Sequence, residues 1–292
     1  MFQQLFLNGF IAAGIYALVG LGFALIYNTT RFFHFAHGVV YAAGAYLAYA
    51  FSVLLGLPLI ISIILAVGLT TLIGMLMEIS IYRPLRRRGA SSLILLIASL
   101  GIYIVLQNII SLIFGDDTKT IRSGVVKEGI NILGAYITPI QITIIIVSCL
   151  LLIASYLIIS KTGTGKMMRA VANDPWLADA TGIDSDRVIL FTFAIGSALA
   201  GFAGILISLD IDMTPTMGLN ALMMGVVAVI VGGVGSIPGV VLGAVLLGLA
   251  RHLGVWKISS QWQDAIAFVI LLIFLLFRPQ GFLGRKITKV EI

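Results

Sequence analysis

Lys161-Thr-Gly-Thr-Gly-Lys-Met-Met-Arg-Ala-Val-Ala-Asn-Asp-Pro-Trp-Leu-Ala-Asp-Ala-Thr-Gly-Ile-Asp-Ser-Asp-Arg187 is a polar island in an apolar chain. It holds eight charged residues, four basic and four acidic. The runs on either side, Gly129 to Ser160 and Val188 to Leu209, contain no Asp, Glu, Lys or Arg. A water-exposed segment between two long uncharged runs reads as a loop between membrane spans. Its length makes it large enough to be a docking surface, where a membrane protein receives mechanical work from a partner.

The rest of the composition agrees. Sixty per cent of the residues are hydrophobic and ten per cent are charged. Mean hydropathy is +1.13. Soluble domains carry roughly a quarter charged residues, so this is an all-α polytopic membrane protein. No stretch of the 292 residues is polar enough for a soluble domain, and the whole chain, 1–292, reads as one transmembrane domain. The net charge of +6 is no nucleic-acid signal, because many of the Lys and Arg residues stand in short loops, where they set orientation. The single cysteine, Cys149, lies in an apolar run. The first 27 residues lack a basic leader and a cleavage site, and read as a retained span.

A span needs about 20 apolar residues to cross about 30 Å of hydrocarbon. The first is expected from Leu5 to Tyr27, broken by Asn28-Thr29-Thr30-Arg31. Phe32 to Met77 is uncharged and long enough for two spans divided at Gly56-Leu57-Pro58. Arg83, Arg86, Arg87 and Arg88 then give the strongest orientation signal, which places loop 83–88 in the cytoplasm. Gly89 to Gly115 is the fourth span, Asp116 to Tyr136 an outer loop, and Pro139 to Ile159 the fifth span, returning the chain to the cytoplasm at loop 161–187. Val188 to Leu209 is the sixth. The uncharged run Met213 to Ala250 is punctuated by Gly232, Gly233, Gly235, Pro238 and Gly239, which predicts two half-helices meeting at a break within region 218–254. Ile266 to Phe277 is the last span, followed by a cytoplasmic tail carrying Arg278, Arg285, Lys286 and Lys289. The expected fold is about eight transmembrane or half-membrane helices with one broken pair. The count is seven plus a re-entrant hairpin, or nine if both halves cross, with the N-terminus outside.

Several chemistries fit poorly. Gly163-Thr164-Gly165-Lys166 resembles a phosphate-binding loop, but Ser160 and Met167 stand where that motif needs glycine and Ser or Thr. His34 and His37 share a helix spacing, yet with His252 the only other histidine and no carboxylate nearby in sequence, they read as polar residues at a span entrance, with no metal expected. Glu78, Asp210, Asp212 and Asp264 all fall near span ends, so a proton relay at the midplane has no carboxylate to use. The glycine cluster exposes backbone amides and carbonyls that can line a polar path. Within the polar island, Asp174-Pro175 starts a short helix and Gly182 stops it. Such a helix at the cytoplasmic face, with its alanines exposed, suits a groove on a partner.

Four stretches carry a resemblance. Phe35-Ala36-His37-Gly38 with Gly44-Ala45-Tyr46, Gly165 to Ala170 with Asp174, Ala178, Gly182 and Ile183, Gly232 to Gly239, and Arg278-Pro279-Gln280-Gly281 follow in an order and spacing that resembles the permease subunits of branched-chain amino acid ABC importers. His34 and Val39 depart from the family's Asn and acidic residue. The resemblance implies a type II-like ABC importer permease in the bacterial cytoplasmic membrane. It implies no cofactor of its own. Its partners would be a second permease subunit (related or another copy), two ABC ATPase subunits that use ATP, an extracytoplasmic substrate-binding protein, and membrane lipid; no nucleic acid is implied. It further implies an ATPase-coupling role for Gly165, Arg169, Ala170, Asp174, Ala178, Gly182 and Ile183, and a substrate path at His37, Gly38, Tyr41, Gly232, Gly233, Gly235, Ser236 and Pro238. Close relatives carry urea or short amides, which stand as alternative cargoes; a proton-coupled carrier is the alternative mechanism.

Overall fold

The computed structural model describes residues 1–122, 129–132 and 134–284. In chain order the elements are α1 (Phe2–Thr30), α2 (Ala36–Tyr49), α3 (Leu59–Met77), α4 (Arg83–Arg87), α5 (Ser92–Phe114), a hairpin of β1 (Ile130–Ile132) and β2 (Ala135–Ile137), then α6 (Pro139–Lys161), α7 (Gly163–Asn173), α8 (Pro175–Ala180), α9 (Ser185–Asp210), α10 (Met217–Gly232), α11 (Ile237–Gly254) and α12 (Gln263–Phe277). Their ends follow from local chemistry. Thr138 and Gln141 make a reciprocal capping box at the head of α6, with Pro139 in its first turn. Asp184 caps α9 and Ser236 caps α11. A wide π turn, Glu78–Tyr82, runs directly into α4. It stands where Pro84 cannot donate back to the preceding turn and crowds its carbonyl.

Among the described residues, eight helical segments are long and apolar enough to cross a membrane, among them Leu59–Arg87, in which α3 continues through the π turn and α4. α10, with 16 residues, is a shorter ninth. The chain is thus a multi-pass membrane protein. Each passage joins two ends of the bundle. At one end, here the charged end, stand Arg31, the arginines of α4, and the α7–α8 segment. At the other, the hairpin end, Gln4 of α1 pairs with both backbone groups of Tyr136 at 2.8 and 3.0 Å. There too, Lys119 and Met213 bridge two connections. Phe2, beside Gln4, lies at the hairpin end, and Phe277 lies at the charged end, where the chain after it bonds to the end of α10. The tail residues Arg285, Lys286 and Lys289, and loop residues 123–128 and 133, lie outside the described residues.

α1 is the axis, packed against α6, α9, α10 and α11. Glycines let the backbones meet: a Cβ on Gly9 would lie 2.9 Å from the Gly248 carbonyl oxygen, and one on Gly20 2.8 Å from that of Gly225. In α2, a Cβ on Gly44 would lie 2.5 Å from the Gly201 oxygen, and one on Gly204 would overlap the Tyr41 carbonyl.

The break between α10 and α11 is present within region 218–254, as a turn between two packed helices. Gly232 packs on Gly239 and Gly243 on Ala228, so the two helices form an antiparallel hairpin. The turn, Gly233 to Ser236, lies at the charged end: a Cβ on Gly235 would be 3.9 Å from Asn28, near the foot of α1. The chain after α12 closes over this turn, with Phe282 and Leu283 amides on the Val231 and Gly232 carbonyls at 2.9 and 3.0 Å.

Gly204→Ala is expected to cost about 1–3 kcal/mol by overpacking and to lower the thermal midpoint in detergent. Gly101, with nothing within 4 Å of a built Cβ, gives the contrast: Gly101→Ala should leave the midpoint unchanged or raise it, by up to about 0.5–1 kcal/mol. Equal midpoints for the two variants would show that the α2–α9 contact is not limiting.

Candidate functional site

The polar island forms two helices pinned to the bundle from several sides. Thr162 caps α7 by accepting from the Gly165 amide at 3.1 Å. α7 folds back under α6, burying Gly165, Met168 and Val171. A Cβ on Gly165 would be 2.5 Å from the Ile159 carbonyl carbon, which is why this position is glycine. Arg169 donates to the Ile159 carbonyl, satisfying an end group of α6. From the foot of α1, Arg31 donates to the Ala172 carbonyl at 2.5 Å. Arg31 is the one non-glycine residue with positive φ among the described residues, at 57°.

α8 begins and ends where the sequence predicts. The Asp174 carboxylate accepts from the Trp176 and Leu177 amides at 2.9 and 3.1 Å. Gly182 takes φ 88°, a left-handed stop suited to glycine. Ser185, the first residue of α9, then locks α8 in place: its amide donates to Asp179 at 2.9 Å and its hydroxyl to the Pro175 carbonyl at 3.1 Å. The face turned outward differs from the expected one. Ala178 is buried under the helix, whereas Trp176 is 88% and Leu177 61% exposed. Gly165 and Ala178 therefore build the platform, and Trp176 and Leu177 carry its apolar outer surface. Two large apolar side chains inside an otherwise polar loop were the available signal for them.

Asp186 joins this platform to the arginine loop. Its carboxylate pairs with Arg87 at 2.8 Å, Arg86 at 3.5 Å and Arg83 at 3.6 Å. Arg83 also donates to the Asp186 carbonyl at 3.0 Å. Behind them Glu78, fully buried, receives both terminal nitrogens of Arg86 at 2.9 and 2.5 Å. Loops 83–88 and 161–187, read separately in the sequence, are one surface.

The residues expected along a substrate path separate into two groups. His37, Gly38 and Tyr41 lie together in the bundle interior at the start of α2. The His37 Nε2 is 3.2 Å from the Val19 carbonyl, Gly38 crosses Gly218, and Tyr41 is buried. His34 joins them, 3.1 Å from the Tyr82 hydroxyl, with the His34 and His37 rings 6.0 Å apart. The irregular link before α2 is covered in this way by protein, and Ser99 accepts from the Ala36 amide at 3.0 Å. Gly232, Gly233, Gly235, Ser236 and Pro238 lie instead at the charged end, in the α10–α11 turn, and the structure does not bring the two groups together. Among the described residues no three His, Cys, Asp or Glu side chains cluster as a metal site.

Similar proteins share both the length and the pattern of this chain. A family model described as branched-chain amino acid transport system / permease component matches residues 5–275. The high-affinity branched-chain amino acid transport system permease protein BraD of Pseudomonas aeruginosa is 36% identical, over 99% of this chain and 97% of that one. LivH of Escherichia coli K12, a permease protein of the same description, is 35% identical over the same shares. A probable branched-chain amino acid transport permease protein LivH of Methanocaldococcus jannaschii is 29% identical over 99% and 95%. Among solved structures, PsaBC from Streptococcus pneumoniae in complex with Fab aligns with a TM-score of 0.51 at 14% identity, covering 94% of this chain and 91% of that one. That likeness is one of fold.

Removing one member of the buried Glu78–Arg86 pair should cost about 3–5 kcal/mol, while replacing both by apolar residues should cost far less. Glu78→Leu and Arg86→Leu are thus each expected to lower the detergent melting point sharply, and the double variant to recover most of the loss. Additive losses in the double-mutant cycle would show that the two side chains act independently.

Proposed function

We propose, on the premise that this chain belongs to the family of branched-chain amino acid transport system permease components, that it moves branched-chain amino acids across the cytoplasmic membrane under the drive of ATP used by partner subunits. The observation that carries this reading is the α8 platform. A short helix displays an apolar pair to water, rests on the bundle through the buried Ala178, and is fastened to the head of α9 by the Ser185 bonds to Pro175 and Asp179. An exposed tryptophan and leucine on a rigid mount are suited to a groove on another protein.

In this reading two ATPase subunits grip α8 at the cytoplasmic end, and a binding protein delivers cargo at the hairpin end. A second permease subunit completes the route between them. Loops 83–88 and 161–187 and the C-terminal side of α12 face the cytoplasm. Closure of the ATPases pushes α8. The push passes through Ser185 to α9, through Asp186 to α4 and α3, and through Arg31 to α1. The chain itself needs no cofactor. Amino-acid cargo, in place of urea or a short amide, is supported by the names that its full-length relatives carry.

In a strain lacking the chromosomal copy, uptake of labelled leucine should be restored by the wild-type chain, and should fall on ATP depletion. Trp176→Ala combined with Leu177→Ser should reduce uptake at least about tenfold and release the ATPase on purification, with the permease still present in the membrane. Gly182→Asp, which places a Cβ at φ 88°, should uncouple in the same direction, as should Arg169→Glu. Uptake that survives ATP depletion but not an uncoupler would replace this reading with a proton-coupled one.

A further inference from the structure

A second cluster of charge lies at the other end of the molecule, where none of the roles above uses it. Arg251, near the end of α11, is only 7% exposed. Its guanidinium reaches the Tyr16 hydroxyl and lies 5.5 Å from the centre of that ring. It pairs with Asp264 of α12 at 2.5 Å. Its Nε, also buried, has no hydrogen-bond partner among the described residues. Asp264 is placed differently: its side chain is 48% exposed, and its second oxygen accepts from the exposed Asn220 of α10 at 3.0 Å. The cluster thus presents a buried cation with an open donor beneath an accessible carboxylate and amide.

The surroundings indicate what this opening faces. On α3 and α6 the large exposed side chains are almost all aliphatic, among them Ile64, Leu72, Ile146 and Leu150, as a lipid-facing surface requires. The outer faces of α5 and α12 are largely aliphatic too, and among them stand a few exposed polar groups, including Asn108 on α5, Asn220 on α10 and Asp264 on α12. Asp264 stands in the first turn of α12, at a span end, so its half-exposed carboxylate meets the aqueous side, while Arg251 behind it is buried among the helices, where ionisable groups mark ligand and ion routes.

We infer that Arg251, Asp264 and Asn220 receive the head group of a zwitterionic α-amino acid, on a face of α10 and α12 that lines the aqueous route near the hairpin end. The ligand carboxylate is held by Arg251 through Nε and Nη2, in the paired geometry that guanidinium offers to carboxylates. The ammonium takes the place of Arg251 beside Asp264 and donates to the Asn220 side-chain oxygen. Arg251 and Asp264 neutralise each other while the site is empty. The aliphatic side chain of the ligand is left free towards the apolar surface. This inference rests on the permease reading above and names the cargo's contact residues within it.

The test uses the one native cysteine. In a Cys149→Ser parent with its complete transporter in membrane vesicles, Asn220→Cys is exposed to a charged, membrane-impermeant thiosulfonate, with Ile146→Cys as the lipid-side control. Rapid labelling at position 220 alone, slowed severalfold by leucine supplied with the binding protein, is the expected result. Labelling no faster than at position 146 would overturn the inference, because that face would then lie in lipid. Labelling that leucine leaves unchanged would overturn it as well, by showing a wet surface with no head-group site. Arg251→Gln combined with Asp264→Asn preserves a hydrogen-bonded pair, and should nevertheless cut leucine uptake at least tenfold at an unchanged amount in the membrane. Full uptake would reduce the pair to a structural tie. Failure of the permease reading itself would appear separately, as absence of ATP-dependent leucine uptake in the Cys149→Ser parent.

Discussion

The structure depends on how closely helix backbones can approach. In lipid, apolar side chains gain little by burial against one another, so helix association rests on tight packing and on polar contacts. α1 meets this constraint with glycine at successive levels: Gly9 on Gly248, Gly20 on Gly225, Gly22 on Gly196. Through these contacts α1, α9, α10 and α11 form a core, and α2 joins it by the Gly44–Gly201 crossing. α3, α5 and α6 surround that core with aliphatic faces turned outward. A bundle seated in this way transmits displacement, because its helices have no compressible layer between them.

At the charged end the connections are polar and more selective. Three arginines converge on one aspartate at the head of α9, and the same α9 begins with the serine that fastens α8. The platform therefore cannot tilt without loading α9 and α4 together. The hairpin end has ion pairs of its own, Arg122–Asp212 between two connections and Arg251–Asp264, whose acid is half open to its surroundings. One end of the molecule suits force and the other suits recognition, and the glycine core lies between.

Features encoded by neighbouring residues were legible in the sequence. Asp174-Pro175 and Gly182 announce α8 because capping and the left-handed stop are local. Gly56-Leu57-Pro58 divides α2 from α3 for the same reason. The glycines from Gly232 to Gly239 announce a break, but its depth depends on the neighbours of α10. Ala178 and Trp176 show a similar limit: both lie in α8, and only the contact with α9 decides which is covered. His34 finds Tyr82 48 positions away and Ser99 65 positions away, pairings that no sequence spacing reveals. Arg251 was passed over because it closes a long uncharged run, and its partner waits 13 residues downstream.

The Arg87–Asp186 pair spans 99 residues, and this has a consequence for biosynthesis. While α3, α4 and α5 are leaving the ribosome, Asp186 does not yet exist, and of the arginines of α4 only Arg86 has an acid, Glu78, already made before it. Lys and Arg near span ends hold a loop on the side where translation occurs. Only when α9 emerges does the counter-charge arrive and convert that address into a joint. The same side chains are charged first without Asp186 and afterwards with it, in the order in which the chain is made.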